Sequence, residues 1–99
     1  MTVESAKQPL VLLAKIRARK GTISDIRVLD LSLAGCIIDR RALSLARDER
    51  VLIKLPGLAL MACYVCWMEE HTVGLEFEQP LYEPVLDHLL RACLQKPGS

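Results

Sequence analysis

Ninety-nine residues, 52% of them hydrophobic and 25% charged, suffice for one domain that buries about two-thirds of its unfolded surface, and they exclude a disordered chain. A net charge of +1, from 13 basic against 12 acidic residues, excludes wholesale electrostatic binding of nucleic acid, so an anion site has to be local. The longest nearly unbroken apolar stretch, Leu55 to Met68, is cut by Pro56-Gly57 and is too short to cross a bilayer, and "MTVESAKQ" lacks the basic and apolar regions of a signal peptide; a cytoplasmic protein without membrane insertion is expected.

In "LVLLAKIRAR" the residues Leu10, Leu12, Ala14 and Ile16 recur at every second position, while the other face passes from Val11 and Leu13 to Lys15, Arg17 and Arg19. Period two predicts a strand with a basic outer end. "RKGT" supplies a turn, and "SDIRVLDL" sets Ile26 and Val28 on one face and Arg27 on the other, which predicts a second strand paired back as a hairpin. "CIID" predicts a short third strand and "RRALSLARDER" a polar connection. "VLIKLPG" predicts a fourth strand closed by Pro56-Gly57 at the two central positions of a type II turn. The segment "LALMACYVCWM" is apolar on both faces, which predicts a fifth strand covered on both sides. After the turn "EEHT", "VGLEFE" alternates, with Val73, Leu75 and Phe77 facing in and Glu76 and Glu78 facing out.

The period changes at "LYEPVLDHLLRACLQ". Apolar residues at Val85, Leu86, Leu89, Leu90, Cys93 and Leu94 have helical spacing, and Pro84 is tolerable only in the first turn. Six short strands and one amphipathic helix define a mainly β fold: a small six-stranded antiparallel barrel whose C-terminal helix covers an apolar opening or outer face. The expected organisation is a mobile segment over 1–9, a single domain over 10–95 and a frayed tail over 96–99.

The second strand ends in polar residues at fixed spacing, Asp30, Ser32 and Gly35. As a turn, Asp30 and Ser32 bond nearby backbone N–H groups and Gly35 takes a positive φ; the same residue types also suit a site that grips a polar ligand. Other candidates carry less. Cys36, Cys63, Cys66 and Cys93 sit inside apolar runs and are expected as buried, reduced thiols. Cys63 and Cys66 face opposite sides of a strand, so "CYVC" does not predict a metal site, and His71 and His88 fall in a turn and on the polar side of the helix. Ser32 has no histidine near it in sequence and Glu69-Glu70 lie in a turn, so no catalytic set is expected. Trp67 is expected in the core, since a chain with 4% aromatic residues lacks the stacking ladder of single-strand binders.

The order of four motifs resembles the PilZ domain, the bacterial family of cyclic di-GMP receptors. "DLSLAG" (Asp30 to Gly35) is similar to the family's [DN]-x-S-x-x-G turn, "LIKLPG" to its fourth strand, "VCW" (Val65 to Trp67) to its V-x-W strand and "VGLEF" (Val73 to Phe77) to its G-[VL]-x-F strand. The resemblance spans roughly residues 10 to 92. It implies a PilZ-like barrel and a receptor or adaptor domain in second-messenger signalling that is not an enzyme, needs no cofactor and takes cyclic di-GMP as ligand. It further implies Asp30, Ser32 and Gly35 as ligand-binding residues. Arginine forks suit phosphate and guanine edges, a carboxylate accepts from guanine N–H groups, and glycine lets a backbone approach a bulky ligand.

The family's R-x-x-x-R segment before the first strand falls at Val3 and Lys7, and neither is arginine. Lys7 keeps a charge without the planar fork, which implies weakened affinity. Lys7, Arg40 and Arg41 are the candidate substitute contacts, and Lys15 with Arg19 has related spacing inside the first strand. A second departure is Arg47-Asp48, where the family carries a glycine before its fourth strand. The alternative implied is a PilZ variant that binds no nucleotide and works as a protein-protein interaction module. In either case a protein partner is expected and a nucleic acid polymer is not; the sequence leaves a homodimer open.

Overall fold

The computed structural model describes residues 12–18, 21–40 and 43–94. The expected mobile segment 1–9 and frayed tail 96–99 lie outside the described residues. Six strands and one helix follow in chain order: β1 (Leu12–Arg17), β2 (Ile23–Leu31), β3 (Gly35–Asp39), β4 (Arg50–Lys54), β5 (Met61–Met68), β6 (Thr72–Phe77) and α1 (Glu83–Leu94). The strands close into a barrel in the order β1-β2-β3-β6-β5-β4, with every pairing antiparallel. The fold is therefore the mainly β, six-stranded antiparallel barrel with one C-terminal helix that the alternating pattern predicts. Closure leaves no sheet edge to protect.

The inward set is the period-two set. Ile16, Val28, Ile38, Ile53, Val65 and Val73, one from each strand, are completely or almost completely buried, and each contributes about 1.5–3 kcal/mol relative to exposure. Leu45 joins them from the polar connection. Leu58 N–H donates to Leu55 O at 3.1 Å across Pro56-Gly57, and Gly57 takes φ +78°, the geometry of a type II turn. The turn between β5 and β6 is closed by Glu69 N–H to Thr72 O at 2.8 Å.

The connection before β4 contains Asp48 at φ +66°, at the place where the resembling family carries glycine. Asp is among the few residues that visit this region. The conformation lets Asp48 N–H donate to Val65 O (2.8 Å) while Val65 N–H donates to Glu49 O (3.0 Å), so the connection pairs with the middle of β5.

Helix α1 begins beside Pro84, carries Glu83 in its first turn and Arg91 in its last, as the helix dipole favours, and sinks Leu89 into the core while Val85, Leu86 and Leu90 remain half-buried. The linker ahead of it is fixed by Leu81 N–H to Leu33 O at 2.9 Å. No helix among the described residues is long and apolar enough to cross a membrane.

Two expectations are corrected. The outer face of β5 is not covered along its length: near its start Ala62 lines an open hollow together with Leu81 and Val85, and further along Tyr64 and Trp67 are exposed at 37% and 36%. Cys66 is half-buried on that same outer side, unlike Cys36 and Cys63, which are buried.

Candidate ligand groove

Strict alternation from Ile26 and Val28 would turn Asp30 inward. The β2–β3 register instead slips between Val28 and Asp30, a β-bulge that leaves Leu29 and Asp30 both exposed and returns Leu31 to the core. The β5–β6 register slips in the same way between Val65 and Trp67, so Cys66 and Trp67 both lie outward while Val65 stays buried. A bulge opposes two residues on one strand to one on its neighbour and bends the strand. Both bulges fall on one row across the barrel wall: Asp30 pairs with Ile37, Ile37 with Gly74 and Gly74 with Trp67.

That row floors a groove of about 290 Å³. Its rims are the β2–β3 turn on one side and Cys66, Trp67 and Glu76 on the other. Ser32 closes the turn, its N–H donating to Gly35 O at 2.9 Å and its Oγ accepting from Gly35 N–H at 3.3 Å. Phe77 N–H to Ala34 O (2.8 Å) ties the turn to β6. Asp30 Oδ1 accepts from Leu31 N–H at 3.0 Å, and the second carboxylate oxygen has no partner among the described residues. It is an exposed acceptor pointed away from the core.

Glycine serves close approach here. A Cβ on Gly35 would lie 2.0 Å from Leu75 O, so the residue is required by the tight β3–β6 pairing; its φ is not positive, which corrects the expectation for this turn. A Cβ on Gly74 would lie 2.2 Å from Trp67 Nε1 and 2.3 Å from Cε2. The indole thus occupies the space left by the missing side chain. Trp67, expected in the core, is a surface ring held in place by a glycine, and a ring of this kind can stack on a planar heterocycle.

Cys66 Sγ lies 3.6 Å from Glu76 Oε1; burial and the adjacent carboxylate raise its pKa, which disfavours the nucleophilic thiolate. Inside the barrel, burial pushes the Cys63 thiol up to about 12, and burial followed by the proximity of Cys63 and Asp30 raises Cys36 further. Beyond the groove, Tyr64 Oη meets Glu78 Oε2 at 3.2 Å and Arg50 Nη2 meets Glu78 Oε1 at 3.4 Å. No three His, Cys, Asp or Glu side chains among the described residues stand close enough to hold a metal ion.

Asp30, Ser32 and Gly35 are brought together on the groove, with Asp30 alone free to meet a ligand. Arg40 lies past the opposite end of β3, its guanidinium donating to Glu69 O at 3.1 Å. Lys15 pairs with Asp25 at 2.6 Å on the far side of the barrel. Lys7, Arg19 and Arg41 lie outside the described residues. No cation lines the groove among the described residues. Sequence reasoning missed Trp67, Ile37 and Gly74; a glycine inside the otherwise apolar strand "VGLEF" was the available signal, since strand glycines mark bulges and close approaches.

No family model matches this chain, and no curated protein matches it at a significant level.

Proposed function

We propose that this chain is a PilZ-type receptor or adaptor domain that binds cyclic di-GMP weakly in the groove between the β2–β3 turn and Trp67. The observation that carries the reading is the shared row of two bulges, which turns Asp30 and Trp67 outward on opposite sides of one floor. A carboxylate oxygen without a partner accepts from guanine N–H groups, and the indole offers a face to the base. The reading is of a binding module and not an enzyme. Four motifs in family order support the name; the non-arginine residues at Val3 and Lys7 support weak affinity.

A second reading rests on the charge of the groove. Asp30 and Glu76 are its charged lining residues, an unfavourable setting for two phosphates, and this favours a PilZ variant that engages a protein through the same groove without nucleotide. Calorimetric titration with cyclic di-GMP separates the two. Weak saturable heat, lost at least about tenfold in Asp30→Ala and in Trp67→Leu, is expected for the receptor. Replacing Val3 and Lys7 by Arg is expected to strengthen it. No heat and no change in melting temperature up to about 1 mM ligand, a binding free energy weaker than about −4 kcal/mol, would sink the receptor reading.

A further inference from the structure

Charge is segregated around the barrel wall. The outer side of β3, β6 and β5 carries Asp39, Glu76 and the turn residues Glu69 and Glu70, whereas the outer side of β4, β1 and β2 is mainly basic: Lys54, Lys15, Arg17, Arg27 and the Glu78-paired Arg50, against Asp25 and, at the groove, Asp30. On the basic side the register sets out three rows. Arg17 stands between Ile23 and Leu52; Lys15 stands between Asp25 and Lys54; Leu13 stands beside Arg27, with Leu29 two residues further along β2. Lys15 is neutralised by Asp25 at 2.6 Å, and Lys54 donates to the Leu55 and Leu58 carbonyls. Arg17 and Arg27 have neither a hydrogen bond nor an ion pair among the described residues.

Those two unpaired guanidinium groups sit among uncovered aliphatic side chains. Leu13 is 66% exposed, Ile23 61% and Leu29 39%. A hollow of about 450 Å³ opens beside Arg17, with Asp48, Glu49 and Arg50 on its other walls. The two arginines are four residues apart along the strands and on neighbouring strands, about 14 Å. An arginine ringed by aliphatic groups is the usual anchor of a protein interface, because exclusion of water strengthens its bidentate pairing with a carboxylate.

We propose that this face of β4, β1 and β2 docks a partner protein that presents two carboxylates about 14 Å apart among aliphatic side chains, with Arg17 and Arg27 as the anchors. Charge complementarity names this occupant. The Lys15–Asp25 pair at the centre disfavours an anionic membrane, which would place lipid phosphate against Asp25. The face is separate from the groove, so the proposal does not depend on nucleotide binding.

The test uses the full chain and a fluorescein-labelled helical peptide whose one face reads Glu-Leu-Leu-Glu at spacing i, i+4, i+7, i+11, carboxylates about 16 Å apart and within arginine reach. Anisotropy is expected to show saturable binding that falls at least about tenfold when the peptide glutamates become glutamine, and as much in Arg17→Ala/Arg27→Ala. Arg91→Ala, on the helix, removes one charge and is expected to leave affinity unchanged; melting temperature confirms that all variants fold. No peptide binding, or equal loss in Arg91→Ala, would overturn the proposal. Sedimentation with phosphatidylglycerol vesicles without peptide binding would assign the face to membrane, and self-association abolished by the double substitution would assign it to a second copy; either result also overturns it.

Discussion

Asp48 holds φ +66° in the connection that brackets Val65, one residue before the bulge that turns out Cys66 and Trp67. A left-handed aspartate is tolerated and a β-branched residue there is not. Asp48→Gly is therefore expected to leave stability unchanged or raise it by up to about 1 kcal/mol, and Asp48→Val to lower it by about 1–2 kcal/mol, both read from urea unfolding. Gly74 supplies the other control on Trp67. Gly74→Ala forces the ring off the wall, at an expected cost of about 1–3 kcal/mol. The double variant Gly74→Ala/Trp67→Ala is expected to cost less than the sum of the single changes; additivity would show that the two residues do not touch. Of these residues, Asp48 was legible as a departure from a motif, whereas Trp67 was misplaced because an aromatic residue in an apolar run reads as core unless the bulge beside it is known.

The strands were legible because each buries one face, so period two is written into "LLAKIR" and "TVGLEF". The bulges were not, since one extra residue inside an apolar strand leaves the composition unchanged and only the partner's register reveals it. The same gap hid the site: strict alternation along the full strands would turn Asp30 and Trp67 inward, and the surplus residue in each strand sets them on the two rims of one groove. Deleting Leu29 or Cys66 removes the surplus residue while returning every inward side chain to the core. Each deletion leaves Asp30 and Trp67 outward and is expected to keep a cooperative unfolding transition; under the proposed receptor reading it weakens cyclic di-GMP binding through the lost bend of the groove wall. Deleting Tyr64, which would turn Val65 outward and Cys66 inward, is expected to cost more stability than deleting Cys66.

At the scale of the whole molecule, the barrel interior holds, among the described residues, two thiols, Cys36 and Cys63, whose burial favours the protonated form. Their folded pKa lies above the unfolded value, that of Cys63 at about 12. Stability from this source is complete below about pH 8.5, the unfolded thiol range, and is lost as pH rises towards the folded value, because only the unfolded chain then releases protons. The expected slope is up to about 1.4 kcal/mol per pH unit and thiol. Urea midpoints at pH 7.5 and pH 10 measure it, and the fall is expected to be shallower in Cys63→Ala. A midpoint independent of pH, with the same behaviour in the variant, would contradict a dry interior.

The barrel divides its outer wall between a groove bordered by Asp30 and Trp67 and another face carrying Arg17 and Arg27, which have no partner among the described residues. The first of these is the central claim, and a nitrogen–proton NMR titration with cyclic di-GMP tests it most directly. The groove predicts that the largest shift changes fall together on the amides of residues 30–36 and 74 and on the Trp67 indole N–H, while Arg17 and Arg27 stay unmoved. Shifts confined to β1 and β2 with a silent indole, or no shifts at all, would contradict it.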